Sequence, residues 1–519
     1  MSAATNRSWD TQVLIAGAGP SGLTLACDLA RRGVLFRIVD AAPRFFTGSR
    51  AKGLQPRSLE ILDDLGVIEA VLASGGPYPP FRVYDGEKVV REGAMHEQRE
   101  PTPDVPYANI LMIPQWRTEE ILRDQLAGYG IRVELATELT GFEQDGDGVT
   151  ATLIHAGTTE RVRAGYLVGA DGGRSFVRRA LGVGFEGETY ETDRVLIGDV
   201  RADGLDREHW HAWGTGRDDA VALCPLPGTQ SFQFTAPVDG VPDLSVQTVQ
   251  EIFDERAGRS GVRLHDASWL SLYRANVRMV DRYRVGRVFL AGDAAHVHSP
   301  AGGQGMNTGI QDAYNLGWKL GQVLAGAPEE LLDTYEEERL PIAAWVLGVA
   351  SKYHAEAVRR KLGDQRRGSE THQLGLDYRG GPLARDEHDS PASVRAGDRA
   401  PDAPCRDAAG APVRLFDVFR GPHFTLLAFG AAHAETVARV NARYGPTVHA
   451  HAVIEPGESG GENALVDVDG HTHTAYDVDG DALVLVRPDG YVGLSARPGT
   501  LGQLEDYLSL LTNAPQTVC

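Results

Sequence analysis

The chain has 519 residues, too many for one ordinary hydrophobic core, so two or three domains are expected. Its composition, 42% hydrophobic and 24% charged, is that of a soluble globular protein, and a formal charge of −20 would repel a phosphate backbone or an anionic bilayer, which sets nucleic-acid and membrane roles aside. Cys27, Cys224, Cys405 and Cys519 show neither a CxxC pair nor metal-ligand spacing, and the opening MSAATNRSWDTQVLIAG lacks a long apolar core, so a reducing cytoplasmic setting without a metal centre is expected.

TQVLIAG reads as a buried parallel strand, Leu23 to Arg32 as a helix, and VLFRIVD as a second strand ending at Asp40: a β-α-β unit of about 30 residues. IRVELATE reads as a further strand just before Leu139. Residues 181–280 carry alternating segments such as SFQFTAP, which predicts an antiparallel substrate-binding sheet with one wet face. Strands of that sheet are also expected around 78–112. From RVFLAGD the pattern returns to strand, glycine loop and helix, with Ile310, Ala313, Leu316, Leu320 and Leu324 in one stripe, and helix is expected again through LLDTYEEERLPIAAWVLGVASKYHAEAVRRKL. Residues 1–180 and 281–364 thus form a Rossmann-like α/β domain. Residues 365–400, polar and rich in Gly, Arg and Asp, read as a linker or surface-draped arm, and 401–519 as a separate unit holding strand-like FTLLAFG and DALVLVRPDGYVGLS.

Gly17-Ala18-Gly19-Pro20-Ser21-Gly22 lies between the first strand and first helix, with Asp40 at the end of the second strand. That context turns a weak GxGxxG into a strong dinucleotide fingerprint. Gly17 permits the turn, Gly19 lets amides approach a pyrophosphate, and Gly22 lets helix and strand pack closely. The helix end stabilises phosphate charge, and Asp40 is placed to accept ribose hydroxyls. The motif alone does not choose between NAD and FAD.

Two more strand ends do. YLVGADGGRSFVRRALG closes at Asp171-Gly172, and RVFLAGDAAH at Gly292-Asp293. With the fingerprint they resemble the three motifs of class A flavoprotein monooxygenases, the aromatic hydroxylase family, over nearly all of residues 10–350. The similarity is greatest to hydroxylases that tailor bacterial aromatic polyketides and antibiotics, which carry a thioredoxin-like C-terminal domain. The resemblance implies FAD as cofactor and NADPH (or NADH) as transient co-substrate, since no second GxGxxG unit is present. It places Asp293 on the ribityl chain, Asp171 near the pyrophosphate, Arg50 beside the flavin, and Gln115 and the Leu139 backbone in contact with the cofactor. Pro300, Gly303, Gly305, Met306 and Asn307 form the loop and helix start that would meet the flavin's pyrimidine side, where helix amides stabilise the reduced, anionic ring. Arg44 is a candidate for the nicotinamide phosphate.

The implied chemistry is addition of O2 to flavin C4a and transfer of one oxygen from the hydroperoxide to a polycyclic aromatic substrate, in a closed apolar pocket. Trp210, Trp213, Phe232 and Phe234 are candidate pocket aromatics, with ordinary sheet packing the favoured reading. No protein nucleophile is required; His296 is a weak catalytic candidate, with a structural hydrogen bond as the favoured role. Baeyer–Villiger or epoxidising chemistry on the same scaffold is the alternative, and a non-catalytic flavin sensor a further one. The dedicated fingerprints FxGxxxHxxxW and WxWxIP are missing. Cys405 stands alone where redox thioredoxins carry a pair, so the C-terminal unit is expected to be structural or to form a homodimer.

Overall fold

The computed structural model describes residues 9–214, 216, 219–298, 302–359, 367–387 and 393–512. Among the described residues, three larger sheets organise the chain. In the first, strands Val288–Leu290, Thr158–Gly169, Thr11–Ala16 and Phe36–Val39 lie side by side and all run parallel. Their C-terminal ends therefore open on one edge. Helices Pro20–Arg31 and Gly305–Leu324 pack together over this sheet, and Leu14, Ile15, Leu23, Val168, Leu290, Ile310 and Leu316 fill the core between. Close approach of the two helices depends on small residues: a Cβ on Gly309 would stand 2.4 Å from Ser21 Oγ, and one on Gly317 would stand 2.4 Å from an Asp28 carboxylate oxygen.

The strand expected over IRVELATE lies further on, at Thr137–Gln144. Ala136, at φ 50°, takes the left-handed backbone and breaks the extended run before it. Leu139 thus sits inside the strand, buried and opposite Leu153.

The second sheet gathers Phe185–Asp203, Arg263–Val280, Ser231–Pro237, Val221–Pro225 and Trp210–Trp213, together with Phe81–Asp85 and Lys88–Gly93 from the earlier segment. Residues paired across an antiparallel sheet point to the same face. One face carries Leu196, Val200, Phe232, Phe234, Leu223 and Trp213, which pack against helix Val246–Ala257. The opposite face carries the row Trp269, Asp199, Gln233 and Cys224, aligned by the strand register. Alternation therefore places Trp210 on this second face and Trp213, Phe232 and Phe234 in the helix-covered core.

The third sheet is built from residues 385–496, with Phe424–Phe429 between parallel Val448–Ile454 and antiparallel Ala482–Val486. The stretch expected as a linker departs from that reading. Leu376, Tyr378 and Leu383 are buried, and Arg385–Glu387 adds to the edge strand Val492–Ala496. Three apolar anchors within a polar, glycine-rich segment suffice to pin it. A fully buried charge network joins this unit to the first domain. Glu338 accepts hydrogen bonds from Lys319 Nζ (2.7 Å), Arg487 Nη1 (2.6 Å) and Asn315 Nδ2 (2.7 Å), and Asp489 receives Arg487 Nη2 (2.6 Å) and Trp318 Nε1 (3.0 Å).

Candidate active site

At the shared strand edge, Gly17 takes φ 107° and lies so close to Ala170 that a Cβ would meet its carbonyl oxygen at 2.2 Å. Gly22 is equally confined, with Gly17 O at 2.0 Å from a Cβ position. Gly19 differs: nothing lies within 4 Å of where its Cβ would stand. Gly17 and Gly22 are small because the protein crowds them, and Gly19 faces open space that a ligand can fill. The helix beginning at Pro20 has no side-chain cap and no acidic residue in its first turn, so its end presents unpaired amides to that space.

Asp40 is fixed beside this loop, its carboxylate accepting from Ala18 N and Ala42 N, both at 2.8 Å. Each oxygen keeps a lone pair for a ribose hydroxyl. Asp171 is largely committed to its own chain: Oδ2 accepts from Phe176 N (2.7 Å) and Val177 N (3.1 Å), starting helix Phe176–Ala180, while Oδ1 has no partner among the described residues. Ser21 turns its hydroxyl into the contact with Gly292 and Gly309.

Asp293 is exposed although Gly292, Ala294, Ala295 and His296 around it are buried. The turn that offers it is held from behind. Asp312, fully buried, accepts from Gly292 N (3.1 Å), His296 Nε2 (2.7 Å) and Arg339 Nε (2.7 Å). Burial opposes the Asp312 charge, but Arg339 and His296 outweigh it and hold the carboxyl below its ordinary range. His296 therefore works as an internal brace. Arg178, which sequence reasoning passed over, ties the two aspartate loops together by donating to Gly173 O and Ala294 O, each at 2.8 Å.

Helix Gly305–Leu324 also starts without a side-chain cap or early acid. Asn307 is wholly buried, accepting from Gln55 N (2.8 Å) and donating to Gly53 O (3.0 Å) and Gly303 O (2.9 Å). Its side chain thus fixes the loop, leaving the helix-start amides for a ligand. Met306 is partly buried against the core, and Pro300 lies outside the described residues. Gln115 accepts from Ala51 N (3.1 Å) and donates to Glu119 (2.8 Å), holding the exposed Arg50 at the margin; Arg44 is also exposed. Burial pushes Glu119 up to about 7.

The segment Ser49–Gln55 joins this edge to the second sheet. At one end Gln55 meets Asn307; at the other Lys52 Nζ donates to Gln233 Oε1 (2.6 Å), and Gln233 donates to Ser49 O. Lys52 lies 4.1 Å from the Trp210 ring centre, while Tyr78 packs on Trp210 (5.8 Å) and His96 (4.8 Å). Lys52, Tyr78 and Tyr273 are deep in the protein yet retain partial exposure, as Trp210 and Trp269 do. These side chains are the candidate lining of a substrate chamber. Sequence reasoning missed Asp199, though a lone acid in the strand LIGDV was a signal, and Lys52, two residues beyond the candidate Arg50.

A parallel-strand edge presenting two uncapped helix ends, with Asp40 and Asp293 beside them, is the arrangement of a dinucleotide-binding enzyme. Residues 10–350 match an FAD binding domain family, and 393–515 match the C-terminal domain of aromatic-ring hydroxylases. A flavin-dependent monooxygenase of Mycobacteroides abscessus is 48% identical, covering 94% of this chain and 97% of its own. A 6-methylpretetramide 4-monooxygenase of Streptomyces rimosus is 37% identical over 94% of this chain and 91% of its own. The structure of aklavinone-11 hydroxylase with FAD and aklavinone superposes with TM-score 0.82 at 29% identity, covering 97% and 99% of the two chains. The chain belongs to the FAD-dependent aromatic-ring hydroxylase family and is a flavin-dependent monooxygenase. No helix among the described residues is long and apolar enough to cross a membrane.

Proposed function

We propose that this enzyme uses NAD(P)H and O2 to hydroxylate a polycyclic aromatic substrate of polyketide type. The observation that carries this reading is the Ser49–Gln55 segment, which touches the flavin-side helix start at Gln55 and the aromatic chamber at Lys52. The names of relatives acting on 6-methylpretetramide and aklavinone support a fused-ring substrate class.

FAD, once reduced by NAD(P)H, supplies activated oxygen from O2. The amides of Gly19, Ser21 and Gly22 would hold its pyrophosphate, with Pro20 setting the first helical turn, Asp40 would hold its adenosine ribose, and Asp293 its ribityl hydroxyls. Gly303, Gly305, Met306 and Asn307 would offer amides to the ring edge, with Arg50 and Gln115 at its border, while Asp171 would border the pyrophosphate by shaping the strand end. Leu139 belongs to the adenine side through backbone alone. Trp210, Trp269 and Tyr78 would exclude water around the substrate.

The C-terminal unit is proposed to be a thioredoxin-like scaffold without redox function: burial pushes the Cys405 thiol up to about 11, and its Sγ sits 3.0 Å from Thr472 Oγ1. Sedimentation of the intact chain tests the proposed homodimer. Incubation with NADPH, O2 and a panel of fused-ring phenols tests the reaction. The expected product is one oxygen heavier and hydroxylated. A lactone or epoxide of the same mass would reassign the reaction, and peroxide alone across the panel would refute it.

A further inference from the structure

Asp199 is 1% exposed, and among the described residues its carboxylate oxygens make no hydrogen bond of ordinary geometry, with the Ser49 hydroxyl and amide beside them. A buried acid held only by Ser49 and a nearby ammonium is poorly compensated for its lost hydration, so the position has room for a ligand group. The register sets Asp199 opposite Gln233 on one side and Trp269 on the other, facing the chamber. Lys52 lies within electrostatic reach of it. Of the three ammonium donors, one goes to Gln233 and a second faces the Cys224 thiol, which leaves one for a guest. Other groups bearing on the pair are few. Arg367 adds positive charge, Ser49 abuts Asp199, and Tyr78 lines the wall. Burial pulls His96 down to about 3, so above that pH its imidazole is neutral and adds no competing cation.

We propose that Lys52 and Asp199 form the pair that recognises and ionises the substrate, which carries an acidic ring hydroxyl, phenolic or enolic. The proposal rests on the oxygenase reading above. The substrate O–H bond breaks, its proton passes to an Asp199 carboxylate oxygen, and the electron pair stays on the ring oxygen. Lys52 donates a hydrogen bond to that oxyanion. The ionised ring is richer in electrons at carbon, as electrophilic oxygen transfer requires. Burial pushes the Asp199 carboxyl up to about 6, so it is a poised acceptor near neutral pH rather than a permanent anion. Burial also pulls Lys52 down, and a bound oxyanion would restore its charged form.

Alizarin, a fused-ring diphenol whose visible colour reports ionisation, is the probe. It is added to FAD-loaded enzyme and its spectrum followed from pH 5 to 9, with FAD absorbance and NADPH-driven flavin reduction measured in the same samples. Bound alizarin is expected to ionise about one pH unit lower than free dye, a tenfold shift in its ionisation constant. Lys52→Met should abolish that shift and Lys52→Arg should retain it. Asp199→Asn should keep the ionised band but remove the inflection near pH 6. An equal shift in wild type and Lys52→Met, or no dye binding to a wild-type enzyme that still reduces its flavin, overturns the pair and leaves the oxygenase reading intact. Enzyme that neither holds FAD nor reduces it overturns both.

Discussion

Glu338→Gln removes one charge from the network that joins the C-terminal unit to the first domain. Burial pushes the Glu338 carboxyl up, yet Arg487 and Lys319 outweigh that and hold it at about 2, against an ordinary 4.5. Removing one partner of a buried ion pair costs about 3 kcal/mol, because the remaining charge is left stranded. Lys319 moves unfavourably, drawn down by burial to about 8. The intact network therefore contributes little over an apolar replacement, and the cost arises from stranding its cations. At about 2.1 cal/mol/K per residue, unfolding a chain of this length carries roughly 1.1 kcal/mol/K, so Glu338→Gln should lower Tm by about 3 °C at pH 7. Lys319→Met in the same chain should restore most of the loss, since Arg487 keeps Asp489 at 2.6 Å. Melting followed by tryptophan fluorescence and by release of FAD fluorescence reads both. A double variant that loses the sum of the two single losses would refute the reasoning.

Gly19→Ala meets no protein atom within 4 Å, so the apoprotein should melt unchanged while FAD affinity, by fluorescence titration, falls tenfold or more; Gly22→Ala, facing Gly17 O at 2.0 Å, should destabilise the apoprotein itself. Asp293→Ala removes charged acceptors for ribityl hydroxyls, worth about 1.5–3 kcal/mol, and calorimetry should show FAD binding weakened about 10- to 150-fold. Glu119, raised to about 7, is most easily accommodated when protonated, so its contribution to stability is complete below its ordinary 4.5 and is lost as pH rises through 7. Denaturant midpoints should carry that downward slope in wild type and lack it in Glu119→Gln.

Much of this was legible in the chain because local pattern and tertiary role agree. The fingerprint from Gly17 to Gly22, the carboxylate at Asp40 and the turn at Asp293 each combine a strand end with residue types that its chemistry needs. The chamber was less legible. Trp210 and Trp213 are separated by three positions, yet pleating sends one to the chamber and the other to the core, and only the register decides which. Asp199 owes its role to Ser49 and Lys52, about 150 residues earlier, which no local pattern reports. The segment around Tyr378 was hidden by its own composition, since Arg339, whose Nη1 donates to its hydroxyl at 2.9 Å, lies on a different element.

Helix Gly305–Leu324 starts at the cofactor edge and carries Asn315, Trp318 and Lys319 into the charged junction with the last domain. The terminal domain is thus the far anchorage of the rod whose near end addresses the isoalloxazine. A shortened chain that ends before residue 393 would lose Arg487 and Asp489, set Lys319 and Glu338 facing water, and free that rod to shift. Loosened flavin in such a truncation would trace to an unmoored lever rather than to any missing ligand contact.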